Sequence, residues 1–270
     1  MDDLTALRLQ VEWGADEALE DVAVDRLRAA PSPQPSLVSR ENEVPMSAPA
    51  LAGGRGGEGA PTARTTPAER ALEAAAAAPN LDALRAAVAG FDGCALRDTA
   101  SHLVFAEGDP AATLLLIGDP PGAAEDRSGT PFAGPAGVYL DKMLASIGLQ
   151  RSRLMLAPLI PWRPPGDRPP SKAELTICLP FLHRLIALGA PRRLLLMGLL
   201  ASRTLVPQAA SRRRPRGTWI DAAIPGTPLV LPALPTFSAA ELMRSPKDRR
   251  AAWGDLRLLR RTLDADAASA

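Results

Sequence analysis

The sequence predicts an α/β domain built on a mostly parallel sheet covered by helices on both faces. Two observations predict it. After Cys94, short β-like apolar runs alternate with longer segments of helical pattern, as when crossover helices feed strands into one sheet. The chain has 270 residues and is 46% hydrophobic, enough for one sizeable core plus a polar tail, so one main domain is expected.

Taken in order, Leu4, Leu7, Val11, Trp13, Ala18, Leu19 and Val22 recur at roughly helical spacing among acidic residues, predicting a short amphipathic helix within residues 1–29. Residues 30–65 turn to Pro, Ser, Gly and Ala, with Ser32-Pro33-Gln34-Pro35-Ser36 and Gly53-Gly54-Arg55-Gly56-Gly57. Such a stretch buries too little apolar surface to order itself and reads as a disordered linker. The folded domain is expected over 66–270. Thr66 can cap a helix that has Pro67 at its first position and runs to Ala78, and a second helix follows from Leu81 to Ala89. Strands are expected at Leu103–Ala106, Thr113–Ile117, Leu154–Leu156, Leu194–Met197 and Leu229–Leu231, with helices at Ala136–Ile147, Lys172–Leu188, Leu199–Val206 and Pro246–Leu263. Ligands in such sheets sit beyond the carboxyl ends of the strands. That places the site in the loops after Ile117, Leu156, Met197 and Leu231.

The 31 basic and 30 acidic residues nearly cancel, so any surface for a polyanion must be local. Cys94 and Cys178 are too few and too far apart for a disulfide framework and suggest a reducing interior. The N-terminus starts Met1-Asp2-Asp3, unlike the basic opening of a signal peptide. The longest apolar run, Leu194 to Ala201, is far short of the roughly 20 residues that span a bilayer. A soluble cytoplasmic protein with no membrane partner, acting as a monomer, is the expectation.

Four segments carry chemistry. Gly118-Asp119-Pro120-Pro121-Gly122 leads to Gly129-Thr130-Pro131-Phe132-Ala133-Gly134-Pro135-Ala136-Gly137, a glycine and proline density that fixes a tight backbone able to approach a ligand. There follow Pro161-Trp162-Arg163-Pro164-Pro165-Gly166-Asp167-Arg168, Arg216-Gly217-Thr218-Trp219 and Leu242-Met243-Arg244-Ser245-Pro246. The series, in this order, resembles the family-4, iron–sulfur type of uracil-DNA glycosylase over roughly Leu84 to Leu263.

The resemblance implies a three-layer α/β/α sandwich that flips a deoxyuridine out of the DNA stack and hydrolyses its N-glycosidic bond. Gly118, Pro121 and Gly122 would then line the base site. Phe132 would stack on the base; as an alternative it is an ordinary core phenylalanine. Asp119 stands where the family has a water-positioning Glu, one methylene shorter, and its other reading is an Asx cap of the following turn. The family's base-reading Asn falls on Pro158, and the only asparagines, Asn42 and Asn80, precede the α/β core. The family's His-Pro pair falls on Ser238-Ala239, which leaves Ser238 as a lone hydroxyl donor; His102 and His183 lie outside the expected loops. Of the family's four cluster cysteines, Cys94 and Cys178 match two, while Phe91 and Trp162 take the other places. An iron–sulfur cluster normally needs four thiolates, so no cofactor is expected and the cysteines read as buried packing thiols.

For DNA, Arg212-Arg213-Arg214-Pro215-Arg216 is the clearest basic run, either a phosphate-binding loop or a solvated surface. Arg163, Arg168 and Arg244 would add backbone contacts, and Leu242 and Met243 supply wedge-like apolar bulk. Two functions follow: a DNA-repair glycosylase for uracil or another damaged base, attenuated by the missing groups, or a catalytically inactive relative that binds DNA or, through the N-terminal helix, a protein. A nucleotide-binding module is disfavoured, since neither the P-loop nor the dinucleotide pattern occurs.

Overall fold

A computed structural model describes residues 65–209 and 216–269. The helix expected within 1–29, the linker apart from its last residue, and Arg212, Arg213 and Arg214 lie outside the described residues.

Helix α1, Pro67–Ala77, starts as its sequence dictates. The Thr66 hydroxyl accepts the Glu69 amide (3.3 Å) while the Glu69 carboxylate accepts the Thr66 amide (2.7 Å), satisfying two donors that the helix leaves open. Asn80 caps α2, Leu81–Gly90, through the Ala83 amide (2.8 Å). A short α3, Ala95–Thr99, follows. Among the described residues the strands are β1 (Glu107–Gly108), β2 (Leu114–Gly118), β3 (Met155–Pro158), β4 (Arg193–Met197), β5 (Ile220–Ala223) and β6 (Val230–Thr236). Between and after them lie α4 (Ala123–Ser128), α5 (Gly134–Ser146), α6 (Lys172–Gly189), α7 (Leu199–Leu205), α8 (Ala239–Arg244) and α9 (Arg249–Ala268).

The sheet order is β1-β3-β2-β4-β6-β5. Its four inner strands are parallel and its two edge strands antiparallel. Because strand side chains alternate between faces, Leu115, Ile117, Leu194 and Leu196 pack with α1, α2 and α6 on one face. Leu114, Leu116, Leu195 and Met197 pack with α5, α8 and α9 on the other. This is the three-layer α/β/α arrangement expected. Arg184 ties two helices of one layer by donating from Nε and Nη2 to the Ala78 carbonyl at the end of α1 (3.0 and 2.6 Å).

Three expectations need correcting. Leu103–Ala106 is not a strand: Val104 and Phe105 are buried and the Val104 amide bonds to the Pro161 carbonyl (2.9 Å), but the ladder proper is Glu107–Gly108 against β3. The strand expected at Leu229–Leu231 runs from Val230 to Thr236; β5 pairs with its first half, Pro232 included, and β4 with Ala233–Thr236. Hence the loop that reaches the site begins at Phe237, not after Leu231. Edge strand β5, with Asp221 and only one strand neighbour, carries no apolar run to betray it.

Candidate functional site

The carboxyl ends of β2, β3 and β4 and the loop after β6 converge on a cavity of about 570 Å³. β3 lies on one side of β2 and β4 on the other, the reversal of strand order at which α/β sheets open a crevice.

Phe132 is the most firmly built part of the cavity. Its amide donates to Glu125 Oε1 (2.9 Å) and its carbonyl accepts from Arg151 Nη2 (2.7 Å). Its backbone has φ +54, a region unfavourable for a side chain larger than glycine's and tolerated only where surroundings impose it. The ring lies over the end of β2: a Cβ on Gly118 would come within 2.7 Å of its Cζ, and a Cβ on Gly137 within 1.7 Å of the Phe132 carbonyl oxygen. Gly118 therefore makes room for the ring and Gly137 for the backbone that carries it. Phe132 faces the cavity and also touches the core layer of α5 and α9, so its two expected readings coexist.

Asp119 lines the same cavity. Its carboxylate does not cap the turn that follows it. Instead Oδ1 accepts the Ala201 amide (2.9 Å), and the Leu200 amide also bonds it. These are the second and third residues of α7, whose own N-cap, Gly198, has no side chain to offer. The capping alternative thus stands corrected: the capped element is a tertiary neighbour. Gly198 is required twice over, by φ +115 and because a Cβ would sit 2.1 Å from Asp119 Oδ2. Burial pushes the Asp119 carboxyl up to about 6, with nearby Glu241 adding repulsion and the two amides pulling the other way.

Glu125 and Glu241 were not anticipated. Glu125 accepts the Gly122 amide at Oε2 (2.6 Å) as well as that of Phe132, joining the first loop to the second; burial raises its pKa. Glu241 completes a capping box on α8 with Ser238: the Ser238 amide and hydroxyl donate to Glu241 Oε2 (2.9 and 3.3 Å), and Ser238 Oγ accepts the Glu241 amide (3.2 Å). The Ser-x-x-Glu spacing was a visible signal for that cap.

The remaining expected residues divide. Pro121, Gly122, Pro158, Arg168 and Arg244 line the cavity. Arg163 does not; it pairs with Asp167 (2.7 Å). Arg168 lies in the wall with both Nη atoms on Glu174 (2.6 and 2.8 Å), which holds that carboxyl down at about 2. Arg216 is corrected outright. Its guanidinium donates to both oxygens of buried Asp255 (2.8 and 3.2 Å) and to the Ala251 carbonyl (2.6 Å), which makes it a structural tie rather than a free phosphate ligand. Leu242 is 1% exposed within the core, so it cannot act as a wedge, whereas neighbouring Met243 is 42% exposed. His102 contacts the Asp126 carbonyl through Nδ1 (2.8 Å), and His183 is half-buried on α6, with burial lowering its imidazole to about 4. Neither lines the cavity.

Cys94 and Cys178 are buried side by side, Sγ to Sγ 3.8 Å. Their shared hydrogen bond eases ionisation of Cys94 and, with burial, pushes Cys178 up. Phe91 and Trp162 are 7% and 2% exposed in the same apolar cluster, and Phe91 packs edge-on against Phe181 (5.2 Å). Two thiols with apolar carbon in place of the other two donors do not fit a cluster that takes four thiolates.

The chain is thus a mostly parallel α/β/α protein with a glycine-cradled aromatic and a carboxylate lining one cavity, and sequence comparison gives its family. The pattern describing the Uracil DNA glycosylase superfamily matches residues 105–257, and the chain belongs to that superfamily. It is 31% identical over 138 residues to the "Type-4 uracil-DNA glycosylase" of Pyrobaculum aerophilum, covering 51% of this chain and 70% of that one. The Saccharolobus solfataricus protein of the same name is 29% identical over 189 residues, 68% of this chain and 87% of the relative. That of Sulfurisphaera tokodaii is 33% identical over 120 residues, 44% of this chain and 54% of the relative.

Proposed function

We propose that this chain is a DNA-repair N-glycosylase of the uracil-DNA glycosylase type, attenuated on uracil, that acts on DNA in the cytoplasm. The observation that supports it is that Phe132, fixed from both backbone sides, and Asp119 line one cavity at the carboxyl edge of the sheet. An extruded base would stack on the Phe132 ring. The ionised Asp119 carboxylate would lie near the sugar, where it stabilises positive charge at C1′ and orients the attacking water.

Attenuation follows from what the cavity lacks for uracil. Pro158, at the end of β3, has no donor, and the Ser238 hydroxyl is engaged with Glu241. Loss of one transition-state donor commonly costs about 2.7–4 kcal/mol. We propose further that no iron–sulfur cluster is held, the Cys94–Cys178 pair serving as core packing. Those same two observations favour a second reading, a DNA- or protein-binding module without turnover.

The test is incubation of the full chain with uracil-containing single- and double-stranded oligonucleotides and quantification of released uracil. Slow release, reduced at least about tenfold by Phe132→Ala, is expected. Salt-sensitive DNA binding with no release of any base would favour the binding module instead.

A further inference from the structure

Donors for an anionic leaving group are scarce throughout the cavity, not only at Pro158 and Ser238. Seven of its lining residues are prolines, among them Pro120, Pro121, Pro131 and Pro158, and proline offers no N–H. Four amides at the cavity's carboxylates are already engaged: those of Gly122 and Phe132 donate to Glu125, that of Ser238 to Glu241, and that of Ala201 to Asp119. The guanidiniums in the lining belong to Arg168, whose two Nη atoms are held by Glu174, and to Arg203 and Arg244 at exposed positions suited to phosphates at the mouth. Acceptors keep capacity, since Asp119, Glu125, Asp167 and Glu241 line the same cavity as Phe132 and an ionised carboxylate has about four lone-pair sites where an engaged amide has given its one N–H.

Resting on the reading that the cavity takes an extruded base, we infer that the preferred base is cationic: an N-alkylated purine of the 7-methylguanine kind rather than uracil. When the C1′–N bond breaks, its electron pair goes to the base. Uracil thereby becomes an anion that needs donors at its oxygens, which this lining does not supply. A 7-alkylated guanine starts as a cation, takes the pair on N9 and leaves neutral, so it needs no such donor. Water then forms the new C1′–O bond and gives its proton to the Asp119 carboxylate, and the carboxylates stabilise both the cationic base and the cationic sugar. The fixed Phe132 ring adds attraction for a cation over its face. Size permits a two-ring base, as about 570 Å³ lies within the roughly 300–1,000 Å³ of pockets that enclose drug-sized ligands.

The experiment uses the full chain and duplexes carrying one 7-methylguanine or one uracil. Released base is quantified by chromatography at neutral pH against an enzyme-free control, and binding to a duplex with a tetrahydrofuran abasic analogue is measured in parallel. Expected is release of 7-methylguanine at least about a hundredfold faster than uracil, reduced about tenfold or more by Phe132→Ala and by Asp119→Asn, a change that retains an acceptor for Ala201. Uracil release as fast as or faster than that of 7-methylguanine overturns the inference and leaves the glycosylase reading standing. Neither base released, with the abasic duplex bound in a Phe132-dependent way, also overturns the inference while the extruded-base reading survives. Neither release nor binding overturns both.

Discussion

At the scale of single residues, Asp119 links chemistry to stability. Its carboxyl rises from 3.8 to about 6, chiefly through burial. A carboxyl pushed up in the fold favours folding while protonated, so this contribution is present below about pH 3.8 and is lost as pH rises through about 6. The proposed role needs the ionised form and runs the opposite way. Single-turnover base release should therefore rise with pH through about 6, and Asp119→Asn should lose both that limb and most of the rate. Because Asn keeps an oxygen for the Ala201 amide, its thermal midpoint near neutral pH should change little; a large fall would mean that the charge itself holds α7. The sequence exposed Gly118, Phe132 and Asp119, because glycine and proline density marks a close-approach loop wherever it folds. It concealed Gly198 and Glu125. Their roles arise from a tertiary approach, Asp119 crossing to α7 and Glu125 spanning two loops, and no local spacing encodes that.

Among the elements, α8 shows how a helix separates neighbours that a motif groups together. Ser238 and Glu241 fix where the helix begins, and the turn then directs Leu242 into the core and leaves Met243 in solvent. Leu242→Ala should lower stability by about 2–5 kcal/mol through the cavity it leaves. Met243→Ala should stay within about 0.5 kcal/mol and reduce excision from duplex more than from single strands, since only a paired base must be levered out. Equal effects on both substrates would remove Met243 from the wedge role. Long elements were readable from their apolar pattern, and for α1 also from the Thr66 cap that the structure bears out; Asn80 and Ser171 prove to cap α2 and α6 in the same way. The two-residue β1, the edge strand β5 and the short helices α3, α4 and α8 have too few turns or too little apolar patterning to show against loop composition.

For the molecule as a whole, a net charge of +1 leaves the proposed DNA affinity to a local concentration of arginines, and of the run at 212–216 the structure describes Arg216. Arg216 holds the β6 and α9 layer together. It neutralises Asp255, which is 2% exposed and also accepts from the Thr236 hydroxyl (2.8 Å). Arg216→Ala would strand that carboxylate, a change that typically costs about 3–5 kcal/mol, and should lower the thermal midpoint whether or not DNA is present. Arg212, Arg213 and Arg214, proposed as phosphate ligands, should behave in the reverse way when replaced together by alanine. The thermal midpoint should hold while the slope of log affinity against log salt on duplex DNA falls by up to about 2.7, about 0.9 for each phosphate that is no longer neutralised. An unchanged slope would remove that run from the DNA surface and shift it to Arg203 and Arg244 at the mouth of the cavity.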